Sequence, residues 1–289
     1  MFSMEGVFDL HVHSAPDIFD RSGDDIEFAL EGERRGMAGI ALKSALEPTA
    51  GRAYLANKAA GVQKFRLVGA VTLNYTVGGI NPTAVDTLFK MGGRVVWGPS
   101  GHSMFHANLK GNLGNWGRKG MALHNPKDAK GITVFDEAGN LCGDIKEVLD
   151  LVKQYGGVFC TSHLAPEESM ALVKHCAKEK VKIVFTHLGW TPRYSFEIGK
   201  EFAEAGGMIE LTAVTLGSFD NTLPLEAAIK MIREYGSDKV VLATDAGNHR
   251  FVTPFEALRS FAENLILAGI PEPEVRKMMS NNPLALIER

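Results

Sequence analysis

Residues 7–17 read VFDLHVHSAPD. Side chains alternate along a β-strand, so two histidines one residue apart project from the same face. On such a strand Asp9, His11 and His13 share one face, and Phe8, Leu10 and Val12 share the other. Paired imidazoles form two corners of a metal site, although a half-buried strand with a polar face accounts for the same residues. Similar residues end other apolar runs: Lys43 after GIAL, Asn74 after VTL, His163 after VFCTS, His187 after IVFT and Asp245 after VVLAT. His11, His13, His163, His187 and Asp245 are the candidate ligands. Neutral imidazoles with a carboxylate suit zinc first, with manganese, iron or nickel as alternatives. A divalent ion so held lowers the pKa of water to about 7.

Each residue carries a role within that chemistry. Asp245 either coordinates the ion or accepts a proton from water and hands it to the leaving group. His187 is a ligand or a donor that polarises the substrate oxygen. Asp9 is placed to hold a ligand imidazole in its useful tautomer. Lys43 is placed to fix a carboxylate or oxyanion, and its plain alternative is a lysine that snorkels to solvent. Asn74, His102, His106, Trp190 and His249 complete the set expected against the substrate. His175, on an amphipathic helix, and His124, in a polar loop, are assigned nothing.

These residues need a scaffold that gathers distant strand ends. Short runs rich in Val, Ile, Leu and Phe alternate with amphipathic stretches such as DDIEFALEGERRG, NPTAVDTLFKMG, PEESMALVKHCAKEK and PLEAAIKMIREYG. Repeated βα units of this kind build a parallel sheet. Eight such strands predict a closed (β/α)8 TIM-like barrel, whose strand tips share one mouth. A doubly wound sheet would carry a Gly-rich phosphate turn after its first strand, and HSAPDIFDRSG has none. The repeat is interrupted once, after the fourth strand, by a Gly- and Asn-rich insertion at 99–141. That segment reads as a lid on a single domain spanning 1–289, with a hairpin turn at Glu137–Asn140.

Composition narrows the partners. The 289 residues are 45% hydrophobic and 22% charged, with 31 basic against 34 acidic side chains. That balance gives no reason to expect nucleic acid, and no run is long enough for a membrane span. A small-molecule substrate is expected, and homo-oligomer formation is left open. Cys142, Cys160 and Cys176 are odd in number and share no C-x-x-C spacing. With no basic-then-apolar leader in MFSMEGVFDL, a cytoplasmic location is expected.

H-x-H on strand 1, His on strands 5 and 6 and Asp on strand 8 resemble the amidohydrolase superfamily of metal-dependent hydrolases. MMSNNPLALIE is similar to the Asn-Pro-containing last helix common in those enzymes. LHVHSAPD, LKSALEPTAGRA and SHLAPEE resemble an uncharacterised amidohydrolase-related family. The resemblance implies hydrolysis of a small amide, cyclic imide, lactone or related carbonyl compound, one carrying an anionic group if Lys43 faces it. Many members hold two metals through a carbamylated lysine on strand 4. RVVWGPS offers no lysine there, which implies one metal, unless Lys43 bridges two from strand 2. A decarboxylase or hydratase on the same scaffold is the alternative. A phosphoesterase fits less well, because its usual Asp-x-His is replaced by Asp245-Ala246-Gly247.

Overall fold

A computed structural model describes residues 1–116, 123–216 and 222–288. Eight strands form one parallel sheet in chain order: β1 (Phe8–Val12), β2 (Gly39–Leu42), β3 (Arg66–Thr72), β4 (Val95–Trp97), β5 (Val158–Cys160), β6 (Ile183–Phe185), β7 (Met208–Thr212) and β8 (Val240–Ala243). The seam between β1 and β8 is joined at one end only. There Asp245 N donates to His11 O at 2.8 Å and His13 N donates to Ala246 O at 2.9 Å. The residues of interest thus themselves draw the sheet into a nearly closed (β/α)8 barrel.

Helices alternate with the strands: α1 (Asp25–Arg34), α2 (Ala50–Ala60), α3 (Pro82–Lys90), α4 (Met104–Lys110), α5 (Gly143–Tyr155), α6 (Pro166–Glu179), α7 (Phe196–Glu204), α8 (Ala213–Leu216), α9 (Leu225–Tyr235), α10 (Pro254–Leu267), α11 (Glu272–Arg276) and α12 (Asn282–Ile287). Their starts follow local chemistry. Asp24 accepts from Glu27 N while Glu27 accepts from Asp24 N, a reciprocal cap on α1. Asn81 caps α3 and Pro82 opens it, where its missing N–H costs nothing. Asn282 ties α12 to the beginning of β8 by donating to Val240 O at 2.7 Å, which accounts for the asparagine of the Asn-Pro pair.

Apolar side chains divide between two layers. Ala41, Val68, Ala70, Val95, Trp97, Val158, Cys160, Val184 and Val241 fill the barrel, with Leu286 and Ile287 of α12 packed against them. Ile40, Leu42, Val96, Phe159, Ile209, Leu211 and Leu242 pack between sheet and helices. Alternate residues of each strand serve opposite layers, both dry, so the strands read as continuous apolar runs.

β1 departs from the alternation expected of it. Phe8 and Leu10 belong to the inner layer, yet Val12 belongs to the outer one. Asp9 pairs with Ile40 and Val12 with Leu42, so β1 carries one residue more than β2 across this stretch. Such a bulge re-aims the side chains that follow it. Asp9 therefore does not share the face of His11 and His13.

The insertion after β4 begins with α4 and returns through a parallel bridge between Ser103 and Ile132. An antiparallel bridge joins Phe135 and Leu141, and the Asp136 carboxylate accepts from Ala138 N and Asn140 N to fix the expected hairpin turn. Buried Glu168 of α6 anchors the segment by accepting from Thr133 Oγ1 and Val134 N. Residues 117–122 of the predicted lid lie outside the described residues. Among the described residues, no helix is long and apolar enough to cross a membrane.

Candidate active site

His11 lies in β1, and His13, Lys43, Asn74, His163, His187 and Asp245 follow their strands within three residues. Parallel strands bring these C-terminal ends to one mouth. His187 (φ 35°) and Asp245 (φ 53°) adopt left-handed backbone conformations, a strain of order 1–3 kcal/mol each that surrounding structure must hold. Part of that support is Gly247 (φ 135°), where a Cβ would lie 1.8 Å from His13 O. The loop after β8 can press against β1 only with glycine at this position.

Three of the five candidate ligands converge. One ligand atom from each of His11, His13 and Asp245 lies within 4.8 Å of the others. Asp245 Oδ1 is 2.9 Å from His11 Nε2 and 3.1 Å from His13 Nε2. Both Glu210 carboxylate oxygens lie 3.2 Å from His11 Nδ1. A proton on Nδ1 leaves Nε2 as a bare lone pair in the neutral ring. Lys43 Nζ also lies 2.9 Å from that Nε2, while its ammonium sits over the Trp97 ring, 4.3 Å from the centroid. One nitrogen cannot both accept from Lys43 and donate to Asp245. Two imidazoles and a carboxylate crowded in this way are a donor set that fits a divalent cation.

Electrostatics agree with the geometry. Burial works against ionised Asp245, but His11, His13 and Lys43 hold it well below the usual carboxylate range. Glu210 is likewise held down, because His11 outweighs the cost of its burial. Burial lowers His11, yet Asp245 and Glu210 reverse the sign and raise it. A cation binding there must therefore displace a proton. Burial lowers Lys43, opposed by Asp245 and Glu210. Burial and then Arg21 push His13 down to about 4.

The other two candidate ligands stand apart from this group. His163 Nδ1 is 2.6 Å from His106 Nδ1, and its ring packs 4.3 Å from that of Trp190. His187 is pushed down to about 4 by burial, and its Nδ1 is buried with no partner. Both line, with His13, Lys43 and Asp245, a cavity of about 230 Å³. Ser100, His106, Lys110 and Trp116 of the insertion line it too, so this segment is at the mouth. Phe19, Trp190 and Phe251 add aromatic walls, and Arg21 and Lys110 add positive charge. Arg21 is neutralised by Asp17, whose Oδ2 accepts from both Nε and Nη2.

Three expected substrate contacts are used elsewhere. Asn74 is buried and spends its amide on loop ties, donating to Ala45 O and Ser100 Oγ and accepting from Ser100 N. His102 Nε2 donates to Asn125 Oδ1 at 2.9 Å, away from the cavity lining. His249 is exposed and donates through Nδ1 to Asp20 O. Asp9 does not orient an imidazole: it accepts from Thr244 Oγ1 at 2.6 Å and from the backbone N of Thr244 and His11. Burial pushes its carboxyl up to about 7 against those bonds. The bulge in β1 is the reason for the difference.

Two groups of residues were missed by the sequence reading. Glu210 had a visible signal, an acid inside the apolar run MIELT. Arg52 was visible only as part of LKSALEPTAGRA; it donates to Asp25, Ser14 and Glu47 and clamps the β1–α1 loop.

Solved structures share this architecture. An amidohydrolase from Pseudomonas aeruginosa aligns with a TM-score of 0.64 at 15% identity, over 98% of this chain and 95% of that one. The probable dipeptidase PvdM from the same organism aligns with a TM-score of 0.61 at 13% identity, over 98% and 94%. An organophosphorus hydrolase from Deinococcus radiodurans aligns with a TM-score of 0.57 at 14% identity, over 99% and 93%. At such identities the likeness is one of fold. No curated protein matches the sequence. Residues 6–210 match the family of unknown function DUF6282, more than two thirds of the sequence, and the chain belongs to that family.

Proposed function

We propose that this protein is a hydrolase dependent on one divalent ion, zinc first, acting on a small amide, cyclic imide, lactone or related carbonyl compound that carries an anionic group. The convergence of His11, His13 and Asp245, of which His13 and Asp245 line the mouth cavity, carries the reading. The structural neighbours named as amidohydrolase, dipeptidase and organophosphorus hydrolase support the class. When bound, the ion would supply Lewis acidity and a lowered pKa for water.

The chain's own residues supply the rest. His11 and His13 would hold the ion through Nε2, with Glu210 keeping the His11 proton on Nδ1. Asp245 engages the histidines through Oδ1, which leaves Oδ2 to take a proton from water and deliver it to the leaving group. Lys43 is positioned for the substrate's anionic group or its developing oxyanion. His187 stands ready to polarise the substrate oxygen, and the insertion serves as a wall that excludes water. Aromatic rings around the outer cavity favour a flat apolar body. The small mixed-charge mouth suits a small molecule rather than nucleic acid, and three unpaired cysteines agree with a reducing cytoplasm.

A lyase reading, decarboxylation or hydration of a small carboxylic acid, draws support from Lys43 lying 2.9 Å from His11 Nε2. The phosphoesterase reading loses support because the position two residues after Asp245 has no room for a histidine side chain. Elemental analysis of the purified protein, with a screen of carboxylated lactones, imides and amides before and after chelation, tests the proposal. One metal per chain and chelator-sensitive hydrolysis are expected. Two metals with a carbamylated Lys43, or full turnover after complete metal removal, would overturn it.

A further inference from the structure

Among the described residues, His106 is the one histidine of the insertion that reaches the cavity lining, and its two ring nitrogens have different partners. Nε2 lies 2.9 Å from Asn115 O. A carbonyl only accepts, so this nitrogen carries a proton. Nδ1 lies 2.6 Å from His163 Nδ1, and the two ring planes are within 10° of each other. Lone pair and N–H can therefore share one plane. With an ordinary imidazole pKa of about 6.5, both rings are neutral at pH 7 and above. A neutral ring with its proton on Nε2 has a bare Nδ1, and the proton between the two rings must belong to His163.

We infer that His106 is a positioning residue that fixes His163 as its Nδ1–H tautomer, leaving His163 Nε2 as a lone-pair acceptor toward the cavity. The order of bonds is forced from one end, Asn115 carbonyl to His106 to His163. The frame around it is rigid. Trp190 packs against both rings, with centroids 5.7 Å from His106 and 4.3 Å from His163. Ser103 Oγ donates to His163 O at 2.6 Å and accepts from His106 N at 2.9 Å, which locks the two backbones together. A lone-pair acceptor there selects substrates that present an N–H or O–H beside the reacting carbonyl, as primary and secondary amides and imides do and lactones do not. This selection rests on the hydrolase reading; the tautomer does not.

Long-range 1H–15N NMR of the metal-depleted protein, with 15N-labelled histidine, reads the tautomer without any substrate or metal. The expected spectrum has His163 protonated at Nδ1 and unprotonated at Nε2, with His106 of the opposite pattern. His106→Leu should convert His163 to a mixture or to the Nε2–H form. His106→Asn, whose Oδ1 can occupy the place of Nδ1, should restore the Nδ1–H form. A wild-type His163 protonated at Nε2, or an unchanged tautomer in His106→Leu, would overturn the inference. If His106→Leu does not fold, the wild-type and His106→Asn spectra decide alone. Chelator-insensitive turnover alongside the expected spectra would sink the hydrolase reading and leave the tautomer standing.

Discussion

Two sides of the cavity hold histidines in opposite ways. On the β8–β1–β7 side, His11 and His13 stand against carboxylates: Asp245 in front of both and Glu210 behind His11. On the β5–β6 side, His163, His106 and His187 stand against one another, a backbone carbonyl and Trp190. Asp245 and Glu210 raise the basicity of His11 and sharpen its lone pair for a cation, whereas burial and Arg21 outweigh Asp245 at His13. Burial among other rings instead keeps an imidazole uncharged, suited to hydrogen bonding with substrate. The same residue type thus serves two purposes within one cavity.

The largest test of this difference is a pair of deletions. His11→Ala should abolish metal retention, with activity falling by more than the roughly 10–100-fold that outer partners typically cost. His163→Ala should keep metal at the parental level while losing about 10-fold in kcat/KM, the scale of one hydrogen bond to substrate. Elemental analysis separates them, and metal lost from His163→Ala would erase the distinction between the two sides.

Glu210→Gln should lower metal affinity by roughly 10–100-fold, because the amide cannot hold the His11 Nδ1 proton as strongly. Competition with a fluorescent chelator measures it. Unchanged affinity would reduce Glu210 to a buried filler.

Lys43→Met should retain the metal and lose about 1.5–3 kcal/mol in kcat/KM, the worth of a charge-assisted contact. Lys43→Arg should recover little, since the planar fork differs in shape and reach. Parental turnover in Lys43→Met would remove the argument for an anionic substrate, whereas loss of metal would make Lys43 a ligand.

The smallest change, taken per pH unit, concerns acid stability. His106 is held near 4 in the fold by burial and titrates at about 6.5 when unfolded. Between those values the unfolded chain binds the extra proton. This contribution is fully present above about pH 6.5 and is lost as pH falls toward 4, at up to about 1.4 kcal/mol per pH unit. Urea titrations of the metal-depleted protein should show His106→Asn with a shallower decline over that window. An unchanged slope would mean that His106 is not kept neutral by its wall.

The sequence alone determined the alternation of strands and helices, because each apolar run had to bury both faces and the starts of α1, α3, α4, α7 and α10 carried their own caps. It also determined that His11, His13, Lys43, His163, His187 and Asp245 end up at one mouth, since parallel strands leave their C-terminal ends no other place. Tertiary structure decided which of them meet. A one-residue bulge in β1 turned Asp9 away to Thr244, and Glu210, 199 residues downstream of His11, took the place behind its ring. Asn74 and His102 had the right types and positions, but loop packing consumed their polar atoms. Periodicity along a chain reports which face a residue occupies. Which groups come within hydrogen-bonding distance across that face depends on register and loop closure, and those are set by contacts far apart in sequence.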